Sequence, residues 1–169
     1  MELILTDKSY KLILNECLAA PETETGGILI GKKIDEQRLV VPFALGPGIR
    51  SKRSCFRFSP DVEWQQIYLD KLFNRFGVNY LGSYHRHPGN YCLPSSHDFK
   101  AACHIVTDPE WNVEEAVFPI INIINLIDQI ISFHPYYFNR RSKQFQSIDW
   151  RIVSHTDPLI QQVMQRGDA

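Results

Sequence analysis

The sequence predicts an α+β protein, an α/β three-layer arrangement in which helices flank a mixed β-sheet. Two observations carry this expectation. Helical and strand-like apolar patterns interleave along the chain, yet without a regular βαβ rhythm. In addition, 169 residues with 44% apolar and 22% charged content suffice for one compact core, so residues 1–169 are expected to form a single domain.

Taken in order, Thr6 can cap a helix running to about Ala20, with Tyr10, Ile13, Leu14, Cys17 and Leu18 on one face. Pro21 stops it. Gly26-Gly27 leads into a buried strand from Ile28 to Ile30, and paired glycines there let another group approach the backbone. Leu39–Leu45 is a second strand. Gly46–Pro60 is glycine- and proline-punctuated, and Arg50, Lys52, Arg53 and Arg57 make it basic. Pro60 suits the first position of a helix reaching Phe76, with Trp64, Ile67, Tyr68, Leu72 and Phe76 mostly on one face and Gly77 as its stop. Asn79–His87 reads as a strand, and Ser95 or Ser96 opens a helix to about Val106. Val117–Leu126 and Ile130–Phe138 read as strands around a turn at Asp128-Gln129. Phe145–Val153 is a further strand, and Asp157–Arg166 a short polar helix.

Bulk properties restrict the function classes. A net charge of -1, from 18 basic and 19 acidic groups, gives no general attraction for nucleic acid or anionic membrane, so neither is an expected partner. The start, MELILTDKSY, lacks the basic and long apolar regions of a signal peptide. No run reaches the ~18 apolar residues of a membrane span. The four cysteines, Cys17, Cys55, Cys92 and Cys103, contain no C-x-x-C pair, so free thiols and a cytoplasmic location are expected.

The chemistry is concentrated between Gly82 and Ala102. In a strand, residues i and i+2 share a face, so His85 and His87 offer two imidazoles to one point while Tyr84 and Arg86 face away. Asp98, from the first turn of the next helix, can supply a carboxylate. Two histidines and one carboxylate, with a position left for water, are what a catalytic zinc site needs. Ser95-x-x-Asp98 is equally a helix-capping pattern, with the acid at the positive end of the helix dipole. There is no H-E-x-x-H, which excludes the common helical zinc-protease motif.

Together these residues resemble the signature of the JAMM/MPN metalloprotease family: His85-x-His87-Pro88, then Pro94-Ser95-x-x-Asp98, with ten residues between His87 and Asp98. Glu24-Thr25-Gly26-Gly27-Ile28-Leu29-Ile30-Gly31 is similar to the family's glutamate before a small-residue-rich strand, and the likeness covers roughly residues 5 to 140. The resemblance implies the MPN/JAMM fold, a mixed curved sheet flanked by helices and cytidine-deaminase-like. It implies that His85, His87 and Asp98 bind one Zn2+, that Glu24 is the general base, and that Ser95 donates to the tetrahedral oxyanion. Glu22 is the neighbouring alternative to Glu24. Arg86 stands where many relatives carry a small or hydroxyl residue. Cys92 lies between the ligands and is expected to be a loop residue, the alternative being a contact to the metal such as is proposed to hold some relatives inactive, and His97 and His104 are expected to be surface or core histidines.

The activity implied is zinc-dependent peptide or isopeptide hydrolysis at the C-terminus of ubiquitin or a ubiquitin-like protein, by maturation of a precursor or removal from targets. The small form with ETGG is similar to the bacterial branch, associated with conjugation modules, some antiviral, that include activating and conjugating enzymes. Another branch processes sulfur-carrier proteins in cysteine or thio-cofactor synthesis, and a third class comprises non-catalytic MPN scaffolds. Arg50, Lys52 and Arg53 suggest a site for an acidic patch on the modifier, the alternative being a solvated charged loop.

Overall fold

The structure is a computed structural model that describes residues 1–55 and 58–165. Arg57 of the basic stretch and Arg166 lie outside the described residues.

The chain opens on a strand, β1 (Glu2–Thr6), which is not among the elements expected from the sequence. Its five residues are too few to show a period, but Leu3, Ile4 and Leu5 are all fully buried. Thr6 then caps α1 (Asp7–Ala19), accepting from the Ser9 amide. β2 (Thr25–Asp35) and β3 (Arg38–Leu45) form a long hairpin, β2 being longer at both ends than its apolar core suggested. β4 (Lys52–Arg53) and β5 (Phe58–Ser59) make a separate small ribbon.

α2 spans Val62–Phe76, capped by Asp61 rather than begun at Pro60, because the Asp61 carboxylate takes the Trp64 amide. Gly77, with φ of 63°, closes the helix in the left-handed conformation. The packed face of α2 also differs from the expected one. Leu69, Leu72 and Phe76 meet the core, whereas Ile67 and Tyr68 are exposed. The packed stripe begins at Gln65, whose amide reaches the Gly46 carbonyl, so apolarity alone pointed to the neighbouring stripe.

β6 (Asn79–Arg86) is followed by α3 (Ser96–Thr107). The two long strands expected after it are each divided at a proline, which has no amide to give to a ladder. Pro119 separates β7 (Glu115–Val117) from β8 (Ile120–Asn125), and Pro135 separates β9 (Ile130–His134) from β10 (Tyr136–Asn139). β11 (Gln146–Ser147), β12 (Asp149–Val153) and α4 (Pro158–Met164) complete the described chain.

Among the described residues ten strands form one mixed sheet in the order β11-β10-β7-β6-β2-β3-β1-β12, with β8 branching from β6 and β9 from β8. The branch matters for the site. β6 pairs with β7 at Gly82 and then, past Pro119, with β8 at His85 and Arg86. Strand alternation feeds two cores. Ile4, Ile28, Ile30 and Val40 pack with Ile105, Val106 and Ile160 on the α2, α3 and α4 side. Leu3, Leu5, Leu29, Val41 and Tyr84 pack with Ile13 and Cys17 of α1 on the other. The result is a mixed α+β fold with helices on both faces of the sheet.

Candidate active site

The histidine pair sits where β6 is gripped from both sides. β2 runs antiparallel to it, with Thr25 opposite Arg86 and Gly26 opposite His85. On the other side the amides of His85 and His87 donate to the carbonyls of Pro119 and Ile121, at 3.0 and 3.2 Å. Both imidazoles are thereby carried on backbone that is held on two flanks.

His85 Nε2 and His87 Nε2 are 2.7 Å apart. Asp98 Oδ1 lies 3.2 Å from His85 Nε2, and Asp98 Oδ2 lies 3.6 Å from His87 Nε2. The three ligand atoms fall within 4.8 Å of one another. A tetrahedral ion with bonds of about 2.0–2.1 Å separates its ligand atoms by about 3.3 Å, so the donor set fits a zinc-sized cation. Side-chain exposures of 20%, 11% and 17% for His85, His87 and Asp98 leave a path for water while restricting it.

Electrostatics are those of a preformed cation site. Burial works to raise the Asp98 pKa, but hydrogen bonds from His85, His87 and Ser95 outweigh it and hold the carboxyl well below the usual range. For His87, burial disfavours the charged form, yet Asp98, the Tyr91 carbonyl and the Glu24 charge prevail and raise its pKa. Glu24 immediately precedes Thr25, which pairs with Arg86 in the β2–β6 ladder. Its amide donates to the Ser54 carbonyl at 2.9 Å, joining the start of β2 to the β4–β5 ribbon.

Asp98 is oriented by the N-terminus of α3. The Ser95 amide donates to Asp98 Oδ2 at 2.6 Å, and the Asp98 amide donates to Ser95 Oγ at 3.2 Å, a complete capping box. The capping reading of this motif is therefore correct, and it aims the carboxylate at the histidines. Ser95 Oγ uses one lone pair in this bond, which leaves its hydroxyl hydrogen available to an acceptor.

Two contributors had no sequence signal. His87 Nδ1 lies 3.0 Å from the Tyr91 carbonyl, which can only accept, so Nδ1 carries the hydrogen and Nε2 faces Asp98. The buried Asn122 donates through Nδ2 to the carbonyls of Gly89 and Tyr91, at 2.9 and 3.2 Å, and so fixes the loop that orients His87. Asparagine in an apolar strand reads as an interruption; only the fold shows what it holds.

The other flagged residues divide clearly. Arg86 is 3% exposed and on the face opposite the histidines, as alternation required. Glu22, His97 and His104 are exposed, and His104 faces Asp108. Cys92 is not part of the close ligand cluster, and its carbonyl accepts from Tyr136. Arg50 bridges Asp61 and Glu63, Arg53 pairs with Glu16 at 2.9 Å, and Lys52 is exposed on β4.

Fold and site together define a JAB-type domain. The sequence profile described as "Prokaryotic homologs of the JAB domain" matches residues 6–153, and the chain belongs to this family. It is 27% identical over 121 residues to a protein of Enterobacter hormaechei subsp. hoffmannii named CD-NTase/cGAS isopeptidase, covering 70% of this chain and 66% of that protein. It is 32% identical over 92 residues to Probable metalloprotease y4qB of Sinorhizobium fredii, covering 53% of this chain and 56% of that one. The matches thus span less than two thirds of these relatives' lengths. The solution structure of protein DSY2949 from Desulfitobacterium hafniense shares the fold, with a TM-score of 0.64 at 18% identity over 90% of this chain and 93% of that one.

Proposed function

We propose that residues 1–169 act as a single JAMM/MPN domain and as a zinc-dependent peptidase or isopeptidase, cleaving after the C-terminus of a ubiquitin-like protein. The observation that carries the reading is the convergence of His85, His87 and Asp98 within 4.8 Å, with Glu24 one residue before the β2 segment that pairs with the histidine strand. The three donors would hold one zinc, since their chemistry and spacing fit that ion. When bound, zinc lowers the pKa of its water and polarises the scissile carbonyl.

The chain's own residues supply the remainder. Glu24 takes the proton of the attacking water as the new C–O bond forms, then returns it to the leaving amine as the C–N bond breaks. Ser95 Oγ–H donates to the oxyanion, while its capping bond to the Asp98 amide keeps the hydroxyl in place. Asn122 and the Tyr91 carbonyl keep the His87 tautomer with Nε2 free for the ion.

The isopeptidase named among the relatives supports removal of a modifier from targets, and with it a ubiquitin-like conjugation module, whose activating and conjugating enzymes would be partners. Lys52 is exposed on β4, two residues before the Ser54 carbonyl that takes the Glu24 amide, and would meet an acidic patch of the modifier there, whereas the Arg50 guanidinium is engaged by Asp61 and Glu63. No described helix is long and apolar enough to cross a membrane.

The test is to quantify zinc in the purified chain and to offer ubiquitin-like proteins bearing C-terminal peptide extensions, with Glu24→Gln as control. One zinc per chain, and cleavage lowered by about 10²–10⁴-fold in the variant, is the expected result. A well-folded chain that takes up no zinc overturns the reading.

A further inference from the structure

Arg86 lies between the two histidines in sequence but serves the opposite face of the sheet. Its side chain is buried against the end of α1 and the turn that follows, and at 3% exposure it is nearly cut off from water. There it donates to backbone carbonyls alone: through Nη1 to Thr23 at 2.5 Å and to Ala20 at 3.4 Å, and through Nη2 to Pro21. Nε makes no hydrogen bond. Among the described residues no carboxylate forms an ion pair with it.

A buried cation without a carboxylate is a costly way to fill space, which points to what the guanidinium holds. α1 ends at Ala19 with no basic residue in its last turn, so its terminal carbonyls lack the usual cationic cover. Arg86 supplies that cover from another element. The turn it grips, Ala20–Thr23, leads directly into Glu24. Three further bonds pin this segment: the Thr23 amide and hydroxyl to the Ala20 carbonyl within the turn, and the Glu24 amide to the Ser54 carbonyl. Past Glu24 the β2–β6 ladder takes over at Thr25, and Arg86 adds a side-chain link from the turn itself to β6.

We propose that Arg86 is a positioning residue that locks the Ala20–Thr23 turn to the histidine strand and so sets the place of Glu24 relative to His85 and His87. One side chain on β6 thereby registers the base against the ligands: the ligands by its neighbours in sequence, the base by its grip on the turn. The catalytic part of this inference rests on the peptidase reading above. The mechanical part does not.

The test uses Arg86→Met, which keeps bulk and removes every donor, and Arg86→Lys, which keeps a cation able to reach one or two of the carbonyls. Zinc content, amide hydrogen exchange and cleavage of ubiquitin-like proteins with C-terminal extensions are measured on each. We expect one zinc per chain in both variants. Exchange should quicken at residues 20–25 and stay unchanged in α3 and β8. kcat should fall about 10²-fold in Arg86→Met, with KM moving less than about threefold, because misplacement by about 1 Å suffices for such a loss. Arg86→Lys should recover part of both effects, and it carries the test if Arg86→Met does not fold.

Unchanged exchange at residues 20–25 in a folded variant overturns the tether. So does a kcat within twofold of the parent where the parent is active. A parent that shows the exchange effect but no peptidase activity overturns the functional reading and leaves the tether standing, so the two failures are distinguishable.

Discussion

Gly26 stands directly opposite His85 in the β2–β6 ladder, and a Cβ on it would lie 2.3 Å from the Tyr84 carbonyl oxygen and 3.0 Å from His85 Cβ. The two glycines of ETGG are therefore a matter of clearance on two sides: Gly26 lets β2 close on the histidine strand, and Gly27 lets it close on β3, where a Cβ would lie 1.9 Å from the Leu45 carbonyl oxygen. Gly26→Ala must push β6 away or distort β2, and overpacking of this kind costs about 1–3 kcal/mol. For a chain of this size the melting temperature should fall by about 3–10 °C. Because the displaced backbone is that of His85, zinc uptake should weaken as well. Thermal unfolding with and without added zinc reads both effects, and unaltered zinc affinity would show that β2 sets the strand but not the site.

Asn122 invites a second substitution. It sits on β8, away from the ligands, yet its Nδ2 holds the two carbonyls that shape the loop before α3, and one of these accepts the His87 Nδ1 hydrogen. Asn122→Leu preserves approximate volume and removes the donor. Loss of partners that orient a ligand commonly weakens metal affinity by 10–100-fold, and a loss of about that size is expected here. Competition titration against a zinc indicator measures it. Asn122→Asp should be worse, since a carboxylate would then face two carbonyl oxygens.

These two cases mark how far the sequence could be read. The histidine pair was legible because a strand has period two, and Asp98 because a helix start has its own pattern; both are local rules. The same locality explains the misses. Arg86 meets carbonyls 63 to 66 residues upstream, and Asn122 meets carbonyls 31 and 33 residues upstream. Side chain–backbone bonds at such separations leave no periodicity. β1 was too short to show one, and its parallel partners β3 and β12 lie far along the chain. The packed face of α2 departs from the apolar one because its stripe starts with a glutamine that the fold satisfies.

The basic stretch separates into residues with different duties. Arg53 pairs with Glu16, a carboxylate 17% exposed that also accepts from Thr25 at 2.5 Å, next to Glu24. Lys52 projects from the neighbouring position of the same short strand. Arg53→Ala should therefore cost stability, by about 1 kcal/mol for a partly shielded pair, and should do so with or without substrate. Lys52→Ala should leave the melting temperature within about 1 °C, since exposed surface changes seldom matter to the fold. If Lys52 meets an acidic modifier, its removal raises KM at low salt, and the effect fades as salt rises. Equal KM for the parent and Lys52→Ala at low salt would remove Lys52 from substrate recognition.

Asp61 gives the fold a definite acid dependence. Its side chain is nearly buried, which by itself raises the pKa. The Trp64 amide, the Arg50 amide and the Arg50 guanidinium more than offset this, so the carboxyl titrates below its ordinary value of 3.8. A carboxyl whose folded pKa is depressed contributes stability above its unfolded pKa and loses it as pH falls through the folded value. Asp61→Asn keeps a side-chain oxygen for the helix cap but removes the charge. The variant should therefore melt below the parent at neutral pH, and the gap should narrow steadily below about pH 4 as the parent's carboxylate takes up its proton. Parallel melting curves across this range measure the convergence. A gap that stays constant with pH would mean that Asp61 acts through cap geometry alone, with its ion pair to Arg50 contributing nothing to the attachment of the basic loop.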